Sequence, residues 1–112
     1  MHCVSEYPCP ENKLNLRMIP NLKKKFKCEV GYSGHETSIS PTIFSWIMGA
    51  DYIERHITID RSLWGTDQSA SIEPQGMSTL SGILKKAYIF FGDGKKKISS
   101  VEKKMLKKFK YW

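Results

Sequence analysis

The sequence predicts an α/β fold built from parallel strands joined by crossover helices. Segments of strand character alternate with segments of helical spacing along the 112 residues, in the order strand, helix, strand, helix, strand, helix, helix. The candidate helices carry apolar residues at intervals of three and four. The polar, chemistry-bearing residues gather just beyond the candidate strands, where parallel α/β folds bind ligands.

Residues 1–5 read as a short strand, followed by the turn-rich stretch Tyr7-Pro8-Cys9-Pro10-Glu11-Asn12. Leu14, Met18, Leu22 and Phe26, with Ile19 beside them, give the first helical stripe. Pro20 falls inside that stripe and predicts either a kink or a helix that begins close to it. Residues 28–33 read as the second strand. In the next helix Ser40 suits the N-cap and Pro41 the first helical position; Ile43, Phe44, Ile47 and Met48 make it apolar, and Gly49 stops it. The third strand is Tyr52–Ile57, followed by a long loop from about Asp60 to Ser71. Pro74 opens a helix whose stripe is Met77, Leu80, Leu84, Ala87 and Phe91, ended by Gly92-Asp93-Gly94. Ser99 and Glu102 have capping-box spacing for a last helix edged by Val101, Met105, Phe109 and Trp112.

The net charge of +7 raises the question of a nucleic-acid surface. The lysines cluster at 23–27, 95–97 and 103–108, at the ends or on the outside of predicted helices, with few aromatics between them. That distribution fits a solvated outer face, and no nucleic-acid partner is expected. No apolar run is long enough to span a membrane, and the first residues lack the pattern of a secretory signal. Cys3, Cys9 and Cys28 have neither disulfide nor zinc spacing, which makes a reducing cytoplasmic compartment the default. Cys3, in a strand-like stretch, is expected to be a buried structural thiol.

The second strand leads into Ser33-Gly34-His35 and the third into Glu54-Arg55-His56. Side chains two apart on a strand share a face, so Ser33 pairs with His35, and Glu54 with His56. If those faces meet, two imidazoles and a carboxylate converge, which suits a divalent metal with open positions. The alternative is that each histidine only makes local hydrogen bonds. Glu54, flanked by Ile53 and Ile57, is either an acid–base group or half of an ion pair with an interior lysine. Asp67, in Trp64-Gly65-Thr66-Asp67-Gln68, either accepts from a sugar hydroxyl or is a simple turn residue. His2 has no evident partner and reads as structural.

Several of these segments together resemble the sialic acid synthase family. They are His2-Cys3-Val4-Ser5-Glu6-Tyr7-Pro8, Val30-Gly31-Tyr32-Ser33-Gly34-His35, Ile53-Glu54-Arg55-His56-Ile57-Thr58 and Trp64-Gly65-Thr66-Asp67-Gln68. Glu73-Pro74-Gln75-Gly76 and the ending Lys108-Phe109-Lys110-Tyr111-Trp112 also match, in order and over nearly the whole chain.

The resemblance implies a partial TIM barrel: its last three strand–helix units plus a C-terminal helix, with residues 1–112 as the C-terminal segment of the barrel domain and no antifreeze-like domain. It implies condensation of phosphoenolpyruvate with N-acetylmannosamine, or a related N-acylated amino sugar, to a nonulosonic acid with release of phosphate. By resemblance, His35 and His56 hold manganese or magnesium, and Ser33 and Ser5 contact phosphoenolpyruvate. Tyr7, Asp67 and Gln68 contact the sugar, and Glu54 and Asp67 are the candidates for proton movement. A homodimer is compatible with the full-length enzyme. Two departures stand out: members carry asparagine where Ser5 stands, and many carry Ser-Asp-His where this chain has Ser33-Gly34-His35. A complete barrel needs about 250 residues, so the chain alone is expected to be inactive, as a truncated reading frame begun at an internal methionine would be. The alternative is an accessory module that pairs with a partner half-barrel or binds anionic ligands.

Overall fold

A computed structural model describes residues 1–109 of the chain. Trp112, expected on the edge of the last helix, and the final residues of the family-like ending lie outside the described residues.

The order is β1 (His2–Cys3), a 3-10 turn (Glu11–Lys13), α1 (Met18–Phe26), β2 (Tyr32–Gly34), α2 (Ser40–Ile47), β3 (Ile53–Arg55), α3 (Pro74–Phe91) and α4 (Ser100–Phe109). The three strands form one parallel sheet in the order β1-β2-β3. The α/β alternation expected from the sequence is therefore present. Each strand is shorter than its pattern suggested, because ladder pairing covers only two or three residues of each apolar stretch. The second strand also sits later than expected, at 32–34.

Local chemistry sets the helix limits. Pro20 lies in the first turn of α1, where backbone N–H groups have no intrahelical acceptor, so it starts the helix and does not kink it. Leu14, expected on the same stripe, instead sits beyond the 3-10 turn with its side chain buried. Ser40 is not the N-cap: Ile39 already has αR geometry and takes that position, with no side-chain cap. Lys27 ends α1 in the left-handed conformation. Gly49 (φ 98°) follows α2 where a Cβ would be strained.

The core is small. Ile19, Val30, Tyr32 and Ala50 form it, with Leu16, Leu22 and Ile53 packed against it. It lies on the face of the sheet that carries Tyr32. Behind the strands Asp51 acts as a clamp, accepting from Val30 N–H at 2.8 Å and from Lys23 Nζ at 2.8 Å. Lys23 and the Val30 amide hold its carboxyl below the ordinary carboxylate range.

Two features leave apolar surface open. The buried side of α2 is Pro41, Thr42 and Ser45, while Phe44 and Ile47 face outward. The far end of α3 exposes Tyr88, Ile89, Phe90 and Phe91, although Phe91 lies against Trp46 of α2 at 5.6 Å between ring centroids. The radius of gyration is 19.3 Å, well above the roughly 13 Å of a compact 100-residue domain. Among the described residues no helix is long and apolar enough to cross a membrane.

Cys3 is exposed, contrary to the buried thiol expected. β1 is the edge strand and Cys3 points to the face opposite the core. The buried thiol is Cys9, raised above its ordinary pKa first by burial and then by the Glu6 carboxylate.

Candidate functional site

Register builds the site. Cys3 pairs with Ser33 and Ser33 with Glu54, so these three side chains form one row across the face of the sheet opposite the core. Ser33 Oγ donates to Glu54 Oε1 at 2.7 Å. Glu54 is exposed, and its partner is this serine; no interior lysine pairs with it among the described residues. Two residues along each strand, His35 and His56 come together, with ring centroids 5.2 Å apart.

His35 is buried and fixed by the segment that follows β1. Its Nδ1–H donates to Val4 O at 2.9 Å, and its backbone carbonyl accepts from Cys9 N–H at 2.9 Å. A carbonyl can only accept, so Nδ1 carries a proton, and in the neutral ring the lone pair is on Nε2. The local hydrogen bond thus leaves Nε2 of His35 without a protein partner among the described residues. Tyr7, on the same segment, lies 4.2 Å from the His35 ring and 5.8 Å from the His56 ring, between centroids. Ser5 Oγ is 3.6 Å from Cys3 Sγ on the exposed rim.

The long loop is closed at its base. Ile57 pairs with Ile72 in a parallel bridge, and Ile72 N–H donates to His56 O at 2.8 Å. That closure brings Asp67 back to the site, with Oδ2 3.9 Å from His56 Nδ1. Gln68 is tied inward, its amide oxygen accepting from Thr58 Oγ1. Trp64 at the loop tip is almost fully exposed. His2 is structural, donating from Nε2 to Leu14 O at 2.7 Å.

The expected convergence of two imidazoles with a carboxylate is only partly assembled. Among the described residues no three His, Cys, Asp or Glu side chains surround one metal position. Glu54 is turned to Ser33, and Asp67 stands beyond hydrogen-bond reach of His56. The histidine pair with a free Nε2 on His35 still fits a cation whose other positions are filled by water or ligand.

Sequence reasoning missed a fully buried ion pair. The side chains of Glu36 and Arg55 are 0% and 1% exposed and pair at 2.9 Å. Glu36 also accepts from Tyr32 Oη and Thr42 Oγ1, each at 2.9 Å. Burial, then the Glu36 carboxylate, push the Tyr32 hydroxyl well above its ordinary pKa. Burial lowers the Arg55 guanidinium, and Glu36 opposes that shift. The pair also explains Gly34: a Cβ there would lie 2.7 Å from Glu36 Oε2 and 2.8 Å from the Tyr32 ring. The usable signal was an acidic and a basic residue each beside a candidate histidine.

A parallel α/β chain with paired histidines, a tyrosine and a Ser–Glu couple beyond its strand ends has the layout of an α/β enzyme site. The NeuB family model matches residues 1–96, and the chain belongs to the NeuB family of sialic-acid-type synthases. It is 40% identical over 104 residues to the N,N'-diacetyllegionaminic acid synthase of Campylobacter jejuni, covering 93% of this chain and 31% of that protein. It is 42% identical over 81 residues to the N-acetylneuraminate-9-phosphate synthase of Homo sapiens, covering 71% of this chain and 23% of that protein. The crystal structure of N-acetylneuraminic acid (sialic acid) synthetase from Leptospira borgpetersenii, in complex with citrate, superposes with a TM-score of 0.74 at 34% identity. That match covers 95% of this chain and 37% of the other. The chain thus spans between about a quarter and a third of the curated relatives it matches.

Proposed function

We propose that this chain is the C-terminal part of a synthase barrel that condenses phosphoenolpyruvate with an N-acylated amino sugar to give a nonulosonic acid and phosphate. The observation that carries the reading is the His35–His56 pair, held with Tyr7 at the strand ends. The open sheet, the exposed face of α2 and the large radius of gyration fit a barrel sector whose remaining strands come from elsewhere.

In this reading His35 and His56 hold a divalent cation, manganese or magnesium, which supplies Lewis-acid polarisation of the sugar aldehyde when bound. Ser33, with Ser5 on the rim, contacts phosphoenolpyruvate. Tyr7, Asp67 and the amide N–H groups of Gln68 orient the sugar. The enol carbon of phosphoenolpyruvate attacks the aldehyde carbon, water adds at the adjacent carbon, and phosphate leaves. Glu54 and Asp67 are the carboxylates within reach of those proton transfers. N-acetylmannosamine is the default acceptor, and precursors of legionaminic or pseudaminic acid are its competitors.

Manganese titration of the chain by calorimetry tests this. Binding is expected for the wild type and lost in His35→Ala and in His56→Ala, while circular dichroism shows each variant folded. A folded wild-type chain that binds no manganese, or binds it equally well in both variants, would overturn the assignment. Phosphate release from phosphoenolpyruvate is expected only from a complete barrel containing this segment. Turnover by the 112-residue chain alone would refute its reading as a barrel part.

A further inference from the structure

We infer that the buried Glu36–Arg55 pair is the positioning device of the site, setting the spacing of His35 and His56 from the opposite face of the sheet. The inference rests on the reading above, that the two histidines act together.

Connectivity makes the link direct. Glu36 follows His35 in the chain, and Arg55 precedes His56. Gly34 is paired with Arg55 in the β2–β3 ladder, so one further step in register sets His35 level with His56. Neighbouring side chains on a strand point to opposite faces. Arg55 is therefore turned away from the site while the histidines project into it.

The guanidinium joins every segment that delivers a site residue except the one after β1. It donates to the carboxylate and the backbone carbonyl of Glu36, to Ser38 O at 3.0 Å and to Thr42 Oγ1 at 2.7 Å. It also reaches Ala70 O, at 3.5 Å, three residues beyond Asp67. One planar cation thus ties the loop after β2, the start of α2 and the return of the long loop. A buried ion pair is poor at adding stability, since desolvation offsets its attraction, but its geometry is strict. Gly34 makes room for the carboxylate that completes it.

The test separates positioning from stability. Replacing both partners by apolar residues, Glu36→Leu with Arg55→Met, removes the desolvation cost together with the geometry, and such exchanges commonly keep or raise stability. Two readouts are taken on the full chain: manganese affinity by electron paramagnetic resonance, and the cross-relaxation between the His35 and His56 rings by NMR. The folded double variant is expected to bind manganese at least tenfold more weakly and to lose the ring–ring signal. A folded double variant with wild-type affinity and an intact signal would overturn the inference. Where the double variant does not fold, Glu36→Gln, which keeps the shape and removes the charge, carries the same two readouts. If the wild type binds no manganese, the metal reading fails. The ring–ring signal still decides this inference: loss in the variant supports it and retention refutes it.

Discussion

Ser33 and Glu54 stand level on adjacent parallel strands, and the serine hydroxyl donates to the glutamate at 2.7 Å. The hydroxyl has one proton and it is committed. Ser33 therefore presents lone pairs to an incoming ligand, and Glu54 adds negative charge beside them. That is a poor reception for an anion unless the ligand takes the proton over.

A specific consequence follows for Glu54→Gln in a complete barrel containing this segment. The amide oxygen still accepts from Ser33 but holds the proton less strongly, and the negative charge beside the anion is gone, so KM for phosphoenolpyruvate is expected to fall severalfold. If Glu54 moves a proton in the reaction, kcat falls at the same time by about 10²–10⁴-fold. Ser33→Ala acts the other way, raising KM by about tenfold, the equivalent of roughly 1.4 kcal/mol for one charge-assisted hydrogen bond. Initial rates of phosphate release measure both. A Glu54→Gln enzyme with unchanged kcat would remove Glu54 from the chemistry.

Gly34 is expected to tolerate no side chain. In Gly34→Ala the new methyl meets the Glu36 carboxylate at 2.7 Å and the Tyr32 ring at 2.8 Å, both within the buried network. Overpacking of this kind costs about 1–3 kcal/mol. Urea denaturation should show that loss in the single variant, and in a Glu36→Ala background, where the carboxylate is gone, the same Gly34→Ala change should cost less. That smaller increment is the diagnostic outcome, because it ties the glycine to Glu36 and not to backbone freedom.

The α/β order and the pairing of His35 with His56 were legible because strand period and helix period place residues on faces without any tertiary information. What sequence could not supply was which face would be covered. Cys3 sits on a strand yet is exposed, because β1 is an edge of the sheet and Cys3 points away from the core. Phe44 and Ile47 make α2 look like a core helix, but its inward side carries Thr42, which bonds both Glu36 and Arg55, and Ser45, whose hydroxyl donates to the Thr42 carbonyl. Glu36 was invisible as a site residue because a carboxylate in a polar loop is usually solvated. Only its distance to Arg55 reveals otherwise.

Asp51 gives the fold an acid limit. Its carboxyl is held below its ordinary value of 3.8 by Lys23 first and by the Val30 amide next. A depressed carboxylate contributes stability that is fully present above the unfolded-state value and is lost as pH falls through the folded-state value. Stability should therefore be level near neutrality and begin to fall below about pH 4. Asp51→Asn should flatten that fall and lower stability at pH 7. Urea midpoints for both proteins between pH 2 and 7 would show it; parallel curves would exclude Asp51 as the cause.

The last helix offers a prediction about locality. Ser99 and Glu102 form a reciprocal capping box: Glu102 N–H donates to Ser99 Oγ at 3.1 Å and Ser99 N–H to Glu102 Oε2 at 2.8 Å. Every described residue of α4 is exposed, including Val101, Met105 and Phe109, whose spacing had suggested a packed edge. A helix held by its cap and not by packing should open on its own. In Ser99→Ala, hydrogen exchange of the amides from Glu102 to Leu106 is expected to speed roughly fivefold, the effect of a typical N-cap. The midpoint of global unfolding should not move. A shift in that midpoint would mean that the apolar edge of α4 finds a partner when the chain is in solution, and the same experiment repeated in a complete barrel would then show whether the barrel supplies it.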